Sequence, residues 1–329
     1  MRRGDQTALR RIGSTDGGAV PVLDVVFVHG LGGDGVGTWT PEDSSESWLD
    51  WLGQDIPSAA IWSLSYPAGA TKWTTAGEGM ALPDRASNLI PTMLYYGIGS
   101  RKTVFVCHSL GGLVVKQVLR HSAEMAIPAW APIAHSTLGI AFLATPHSGS
   151  NVATIFKAFK IARPTRTSLG LTAHCPHLKE LGEWYRQNAA RLGIETVAYA
   201  ESRRVKRGIR WMTVVTSTSA DPGIEGCITT PLDADHIDIS KPVSRETDAY
   251  RGIETFIRGQ LRRVPPLADM ADPSSSTGPK GLDQVHPPAD LVRAIRELQA
   301  MGDVNLLNPI ELSTAKMGIV KRHYGVDHE

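Results

Sequence analysis

With 329 residues, 42% of them hydrophobic, the chain has enough apolar material for one large core and a small appendage. Lys and Arg number 34 against 33 Asp and Glu, and a net charge of +1 leaves no electrostatic footprint for nucleic acid or another polyanion. Three cysteines, Cys107, Cys175 and Cys227, are odd in number and widely spaced, which argues against a disulfide framework and for a reducing, cytoplasmic setting.

Residues 1–20 are polar and Gly-rich. Arg2, Arg3, Arg10 and Arg11 lack the continuous apolar run of a signal peptide after them, and no segment approaches the ~20 apolar residues of a membrane span. Residues 23–28 read as a buried parallel strand that ends in His29-Gly30-Leu31-Gly32-Gly33, where glycines let the backbone approach a bound group closely. A helix near 47–52 carries Trp48 and Trp51 as packing residues. A strand at 60–66 follows, then a Gly-, Thr- and Ala-rich insertion (67–84) and a helix at 85–95. The apolar strand 103–107 runs into Cys107-His108-Ser109-Leu110-Gly111-Gly112, and a helix takes over at 111–122. After the strand 138–144 comes Thr145-Pro146-His147-Ser148-Gly149. A second insertion, 151–176, carries Val152, Ile155, Phe156, Phe159 and Ile161 at mixed helical spacing, and reads as either a lid over an acyl pocket or an ordinary packed helix. Helix 178–192, strands 195–200 and 211–216, and helix 247–262 complete the alternation. The basic cluster Arg203-Arg204-Lys206-Arg207 reads as a solvated loop. Alternating strands and helices predict a mostly parallel sheet with helices on both faces, occupying residues 1–264. Residues 265–288, rich in Pro, Ser and Gly, form a linker. Residues 289–329, with Leu291, Ile295 and Leu298 at helical spacing, form a short helical tail suited to a protein partner or to self-association.

The stretch 107–112 carries the chemistry. A serine at the apex of a strand–turn–helix junction has its hydroxyl pushed off the strand end, and small residues must flank it. Gly111 supplies one; Cys107 stands where such a motif usually has glycine. A serine hydroxyl needs a base, an acid to orient the base, and donors for an oxyanion. The glycine loop and the turn itself offer the N–H groups of Leu31 and Leu110 as donors. Of the eleven histidines, His236 lies after the last strand in a polar loop and suits the chain order Ser, acid, His. His29 and His147 fall in loops beside the nucleophile and read as substrate-proximal. For the acid, Glu201 directly follows the strand 195–200. Asp221 is the alternative, weakened by Pro222-Gly223, a turn signal in which Asp often bonds its own backbone.

These motifs resemble the α/β-hydrolase superfamily, and more narrowly a lipase/esterase-like family that includes SERAC-type proteins. The resemblance is carried by His29 to Gly33 with Thr38-Trp39, Val106 to Gly112 with Val114-Val115-Lys116, Ala144 to Ser150, and Asp235-His236 with Ile239-Ser240-Lys241-Pro242. It implies a serine hydrolase of carboxylic esters or acyl lipids, with Ser109, His236 and Glu201 at the family's catalytic positions and no cofactor or metal. Thioesterase, amidase and acyltransferase chemistry would use the same residues. A hydrolase-derived signalling or interaction module, recruiting its partner through the tail, is the reading of another class.

Overall fold

The computed structural model describes residues 7–13, 20–68, 81–147, 176–207 and 210–265. The expected insertion 151–176, all but its last residue, most of the insertion 67–84, the linker from residue 266 and the helical tail lie outside the described residues. The chain divides into two units, Met1–Ala271 and Asp272–Glu329.

Four apolar runs, Leu23–Val28, Ala59–Ser65, Lys102–His108 and Thr137–Leu143, become strands buried on both sides, which strips the polar alternation from their sequences. β2 (Leu23–Val28) is buried throughout. Its Val26 and Val28 enter one core, and Leu23, Val25 and Phe27 enter the other. β3 (Ala59–Ser65), β4 (Lys102–His108), β5 (Thr137–Leu143), β6 (Glu195–Glu201) and β9 (Thr229–Leu232) run parallel to it. The antiparallel β1 (Ala8–Ile12) completes a seven-stranded sheet in the order β1-β3-β2-β4-β5-β6-β9. One face is covered by α2 (Leu82–Tyr95), α3 (Gly111–Glu124) and α5 (Pro176–Asn188), through Leu89, Ile90, Val114, Val118 and Leu181. The other is covered by α1 (Trp48–Asp55) and α7 (Asp248–Leu261), through Leu49, Leu52, Ile253 and Ile257. The charge buried in β2 is answered: Asp24 accepts from Arg101 at 2.7 Å and from Trp62 Nε1–H at 2.8 Å. No helix among the described residues is long and apolar enough to cross a membrane.

Several expectations change. The run 211–216 is not a strand of the main sheet. β8 (Arg210–Met212) stops at Met212 and pairs only with β7 (Val205–Arg207), so the basic cluster is partly strand. The chain then turns inward because the Val214 and Val215 N–H groups bond Glu201 instead of a neighbouring strand. The last sheet strand is β9, Thr-Thr-Pro-Leu, an edge strand whose exposed pattern carries no apolar signal and whose proline needs no ladder partner. β1 also escapes the sequence, since Arg10 and Arg11 face outward from an edge. Two short helices, α4 (Ala131–Ser136) and α6 (Ser217–Ala220), fill connections to which the sequence reading assigned no element.

Candidate active site

β4 hands the chain to α3 through a turn in which Ser109 takes φ +53°, a left-handed conformation that side-chain-bearing residues rarely hold. The Ser109 N–H donates to Leu143 O of β5 at 2.9 Å, fixing the turn to the sheet. Glycine is obligatory after it. A Cβ on Gly111 would stand 2.4 Å from Val28 O, and one on Gly112 would stand 2.3 Å from Thr145 Oγ1. Gly30, in the loop after β2, lies against Ser109: a Cβ there would be 2.7 Å from Ser109 Cβ. Cys107 is fully buried, and burial pushes its thiol well above the usual range, so it serves the core as a small hydrophobe.

The end of β6 and the loop after β9 meet at this turn. His236 Nε2 lies 2.9 Å from Ser109 Oγ, and His236 Nδ1 lies 2.5 Å from Glu201 Oε2. All three residues are buried. Glu201 divides its oxygens. Oε2 faces the imidazole, while Oε1 accepts from Val214 N–H at 2.5 Å and Val215 N–H at 3.0 Å. That anchorage fixes the carboxylate, and a fixed carboxylate fixes which imidazole nitrogen carries hydrogen. Asp221 is not part of the cluster. It is exposed and accepts from Gly223 N–H at 2.9 Å, the local turn bond its Pro-Gly sequel anticipates. Asp235 shapes the loop by accepting from the N–H groups of Ile237 and Asp238 at 2.8 and 2.9 Å.

The His29–Gly33 loop is held from both sides. Gly30 O accepts from Gly33 N–H at 3.2 Å, and His29 Nδ1 lies 2.9 Å from it. Tyr66 N–H reaches His29 Nε2 at 3.4 Å, which makes Nε2 the acceptor and leaves the hydrogen on Nδ1 for Gly30 O. Burial lowers the His29 pKa to about 4, so the ring is neutral. Tyr66 stacks on it at 4.3 Å and donates its hydroxyl to His29 O at 2.5 Å. In a trans peptide the N–H points opposite to the preceding C=O. Anchoring Gly30 O therefore turns Leu31 N–H the other way. Leu110 N–H opens the first turn of α3, where helical N–H groups lack intrahelical partners. Neither N–H donates a hydrogen bond among the described residues.

His147 is paired elsewhere. Its Nδ1 lies 2.7 Å from Lys116 Nζ, its N–H donates to Ser219 O at 2.7 Å, and its ring meets Phe142 edge-on. Lys116, on α3, is fully buried, with its ammonium position 4.6 Å from the Tyr185 ring centroid and 5.4 Å from that of Phe142. Among the described residues, the charged and titratable groups around it are Arg186 and Tyr185 of α5, Cys107 of β4 and His147, none of them a carboxylate. Burial, reinforced by Arg186, lowers the Lys116 pKa to about 7. In the unfolded chain it returns to about 10.4. Between these values the unfolded chain binds a proton that the folded protein does not, so this group's destabilisation is complete below pH 7 and fades as pH rises toward 10. Lys116→Met is expected to remove that rise, gaining most relative to wild type near pH 7 and least near pH 10. Urea unfolding across that range checks it, with the slope as the readout because the variant also strips His147 of its partner.

A seven-stranded, largely parallel sheet, with a positive-φ serine between β4 and α3, a glutamate ending β6 and a histidine after β9, defines an α/β-hydrolase. In sequence the chain is 28% identical over 260 residues to Protein SERAC1 of Homo sapiens, covering 73% of this chain and 39% of that protein. Protein SERAC1 of Danio rerio is 29% identical over 265 residues, covering 73% and 40%. The chain thus spans about two fifths of the length of the curated relatives it matches. No family model matches it. Among solved structures, the mature form of Bacillus licheniformis lipase BlEst2 superposes with a TM-score of 0.49 at 16% identity, covering 78% of this chain and 97% of that one. The fold is that of the α/β-hydrolases, and in sequence the chain is similar to SERAC-type proteins.

Sequence reasoning did not find the Val214 and Val215 amides that hold Glu201, the Tyr66 bonds to the glycine loop, or the partner of His108. Backbone donors leave no residue-type signal, and the other contacts join residues far apart in the chain.

Proposed function

We propose that the chain is a serine hydrolase that cleaves carboxylic esters through an acyl-enzyme. The observation that carries this reading is the continuous bond from Ser109 Oγ to His236 Nε2 and from His236 Nδ1 to Glu201 Oε2, at 2.9 and 2.5 Å. His236 Nε2 accepts the Ser109 proton as Oγ attacks the ester carbonyl, and Glu201 stabilises the imidazolium that forms. The Leu31 and Leu110 N–H groups receive the oxyanion. His236 then gives its proton to the leaving alcohol. Water, deprotonated by the same nitrogen, releases the acid and restores the serine. Every group in this scheme falls within residues 1–264, with 265–288 as linker and 289–329 as an accessory tail.

A fluorophosphonate probe should label Ser109, and p-nitrophenyl acyl esters of graded chain length should be turned over. Matched thioester and amide substrates rank the leaving group. Neither labelling nor turnover of any acyl substrate by the folded protein would overturn the proposal.

A further inference from the structure

His108, next to the nucleophile, takes no part in the scheme above, yet it is almost fully buried. Its Nε2 lies 2.8 Å from the main-chain carbonyl oxygen of His236. A carbonyl only accepts, so Nε2 carries the hydrogen and donates it. Burial, reinforced by His236, lowers the His108 pKa to about 3, which leaves this ring neutral and its single hydrogen committed to that bond. The ring packs edge-on against Trp39 at 6.5 Å and lies 5.0 Å from the His236 ring. Trp39 in turn contacts Phe27 and Trp48, and Trp48 Nε1–H donates to Ser240 O at 2.9 Å. The loop that carries His236 is therefore tied down at its far end by Trp48 and within by Asp235, and His108 bonds the main chain of His236 itself.

We propose that His108 is a positioning residue: its Nε2–H holds the His236 carbonyl so that one imidazole faces both Ser109 and Glu201. The inference rests on reading those three residues as the catalytic unit. Its physical basis is the steep dependence of proton transfer on placement, in which a misplacement of about 1 Å costs roughly 10²-fold in rate. The element is self-referential in sequence, since the nucleophile's own strand supplies the group that aims the nucleophile's base.

Two variants separate the donor from the ring. His108→Phe keeps an aromatic ring beside Trp39 and removes the N–H; His108→Gln returns an amide N–H to about the place of Nε2. His108→Leu, which removes the donor with less bulk, is read alongside in case the phenylalanine does not fold. For a soluble p-nitrophenyl ester, kcat should fall about 10- to 100-fold in the Phe and Leu variants with KM little changed, and recover in the Gln variant. Independently of turnover, the low-field proton resonance of His236 Nδ1–H should persist in wild type and His108→Gln and shift or vanish in the other two. An unchanged resonance in a folded donor-less variant, or equal impairment of Gln and Phe, overturns the proposal. Loss of ester turnover in wild type with the resonance behaving as expected would instead count against the hydrolase reading and leave the positioning role standing.

Discussion

Ser109→Ala is expected to lower kcat for any acyl substrate by about 10⁶-fold, the scale seen when a triad nucleophile is removed elsewhere. The fold should survive, because alanine meets the same backbone demand as serine at φ +53° and its Cβ already fits beside Gly30. What disappears is the attacking oxygen held 2.9 Å from His236 Nε2. Residual rate would come only from the N–H groups of Leu31 and Leu110 acting on bound substrate. Burst kinetics on the purified variant, with thermal melting run in parallel, provide the check. A variant that melts like wild type and keeps its kcat would remove Ser109 from the chemistry.

Glu201→Gln carries the second-largest effect, a loss of about 10⁴-fold in kcat. The carboxylate accepts three N–H groups: His236 on one oxygen, Val214 and Val215 on the other. An amide has one accepting oxygen. Aimed at the valines, it presents an NH₂ to the imidazole and drives the hydrogen to the wrong nitrogen; aimed at His236, it opposes two backbone donors. The second arrangement leaves buried donors unpaired at about 1–3 kcal/mol each, so some stability should fall with activity. Asp221→Asn should leave kcat within about twofold of wild type, since Asn can still accept from Gly223 and relaxed surface sites rarely matter. Steady-state rates of the two variants, corrected for folded fraction by melting, decide the matter; the reverse ordering would transfer the acid's role to Asp221.

The sequence carried what is written in side chains that must be apolar, small or strained. The strand runs of β2 to β5 are legible because burial on both faces leaves nothing else for them to be. The Ser109 turn is legible because only glycine fits at 111 and 112. The choice of His236 rested on chain order, on its polar loop after the last strand and on the family resemblance. β9 was hidden because an edge strand of Thr-Thr-Pro-Leu has no apolar face to display, whereas the apolar residues of 211–216 read as the last strand. That reading shifted the apparent last strand and gave Asp221 its place as the alternative acid, at a position where the structure shows a local turn bond to Gly223. The anchorage of Glu201 is unreadable for a deeper reason: Val214 and Val215 contribute backbone amides, and any two residues there would contribute the same.

The left-handed backbone at Ser109 sets survival of the fold against survival of the chemistry at one position. A non-glycine residue in that region costs about 1–2 kcal/mol, and glycine does not incur it. A laboratory screen that rewards heat resistance alone would therefore enrich Ser109→Gly, a sturdier and inert protein. Under that pressure the serine would be among the first residues of the site to be lost, and its persistence in a lineage would be a record of selection for what the hydroxyl does.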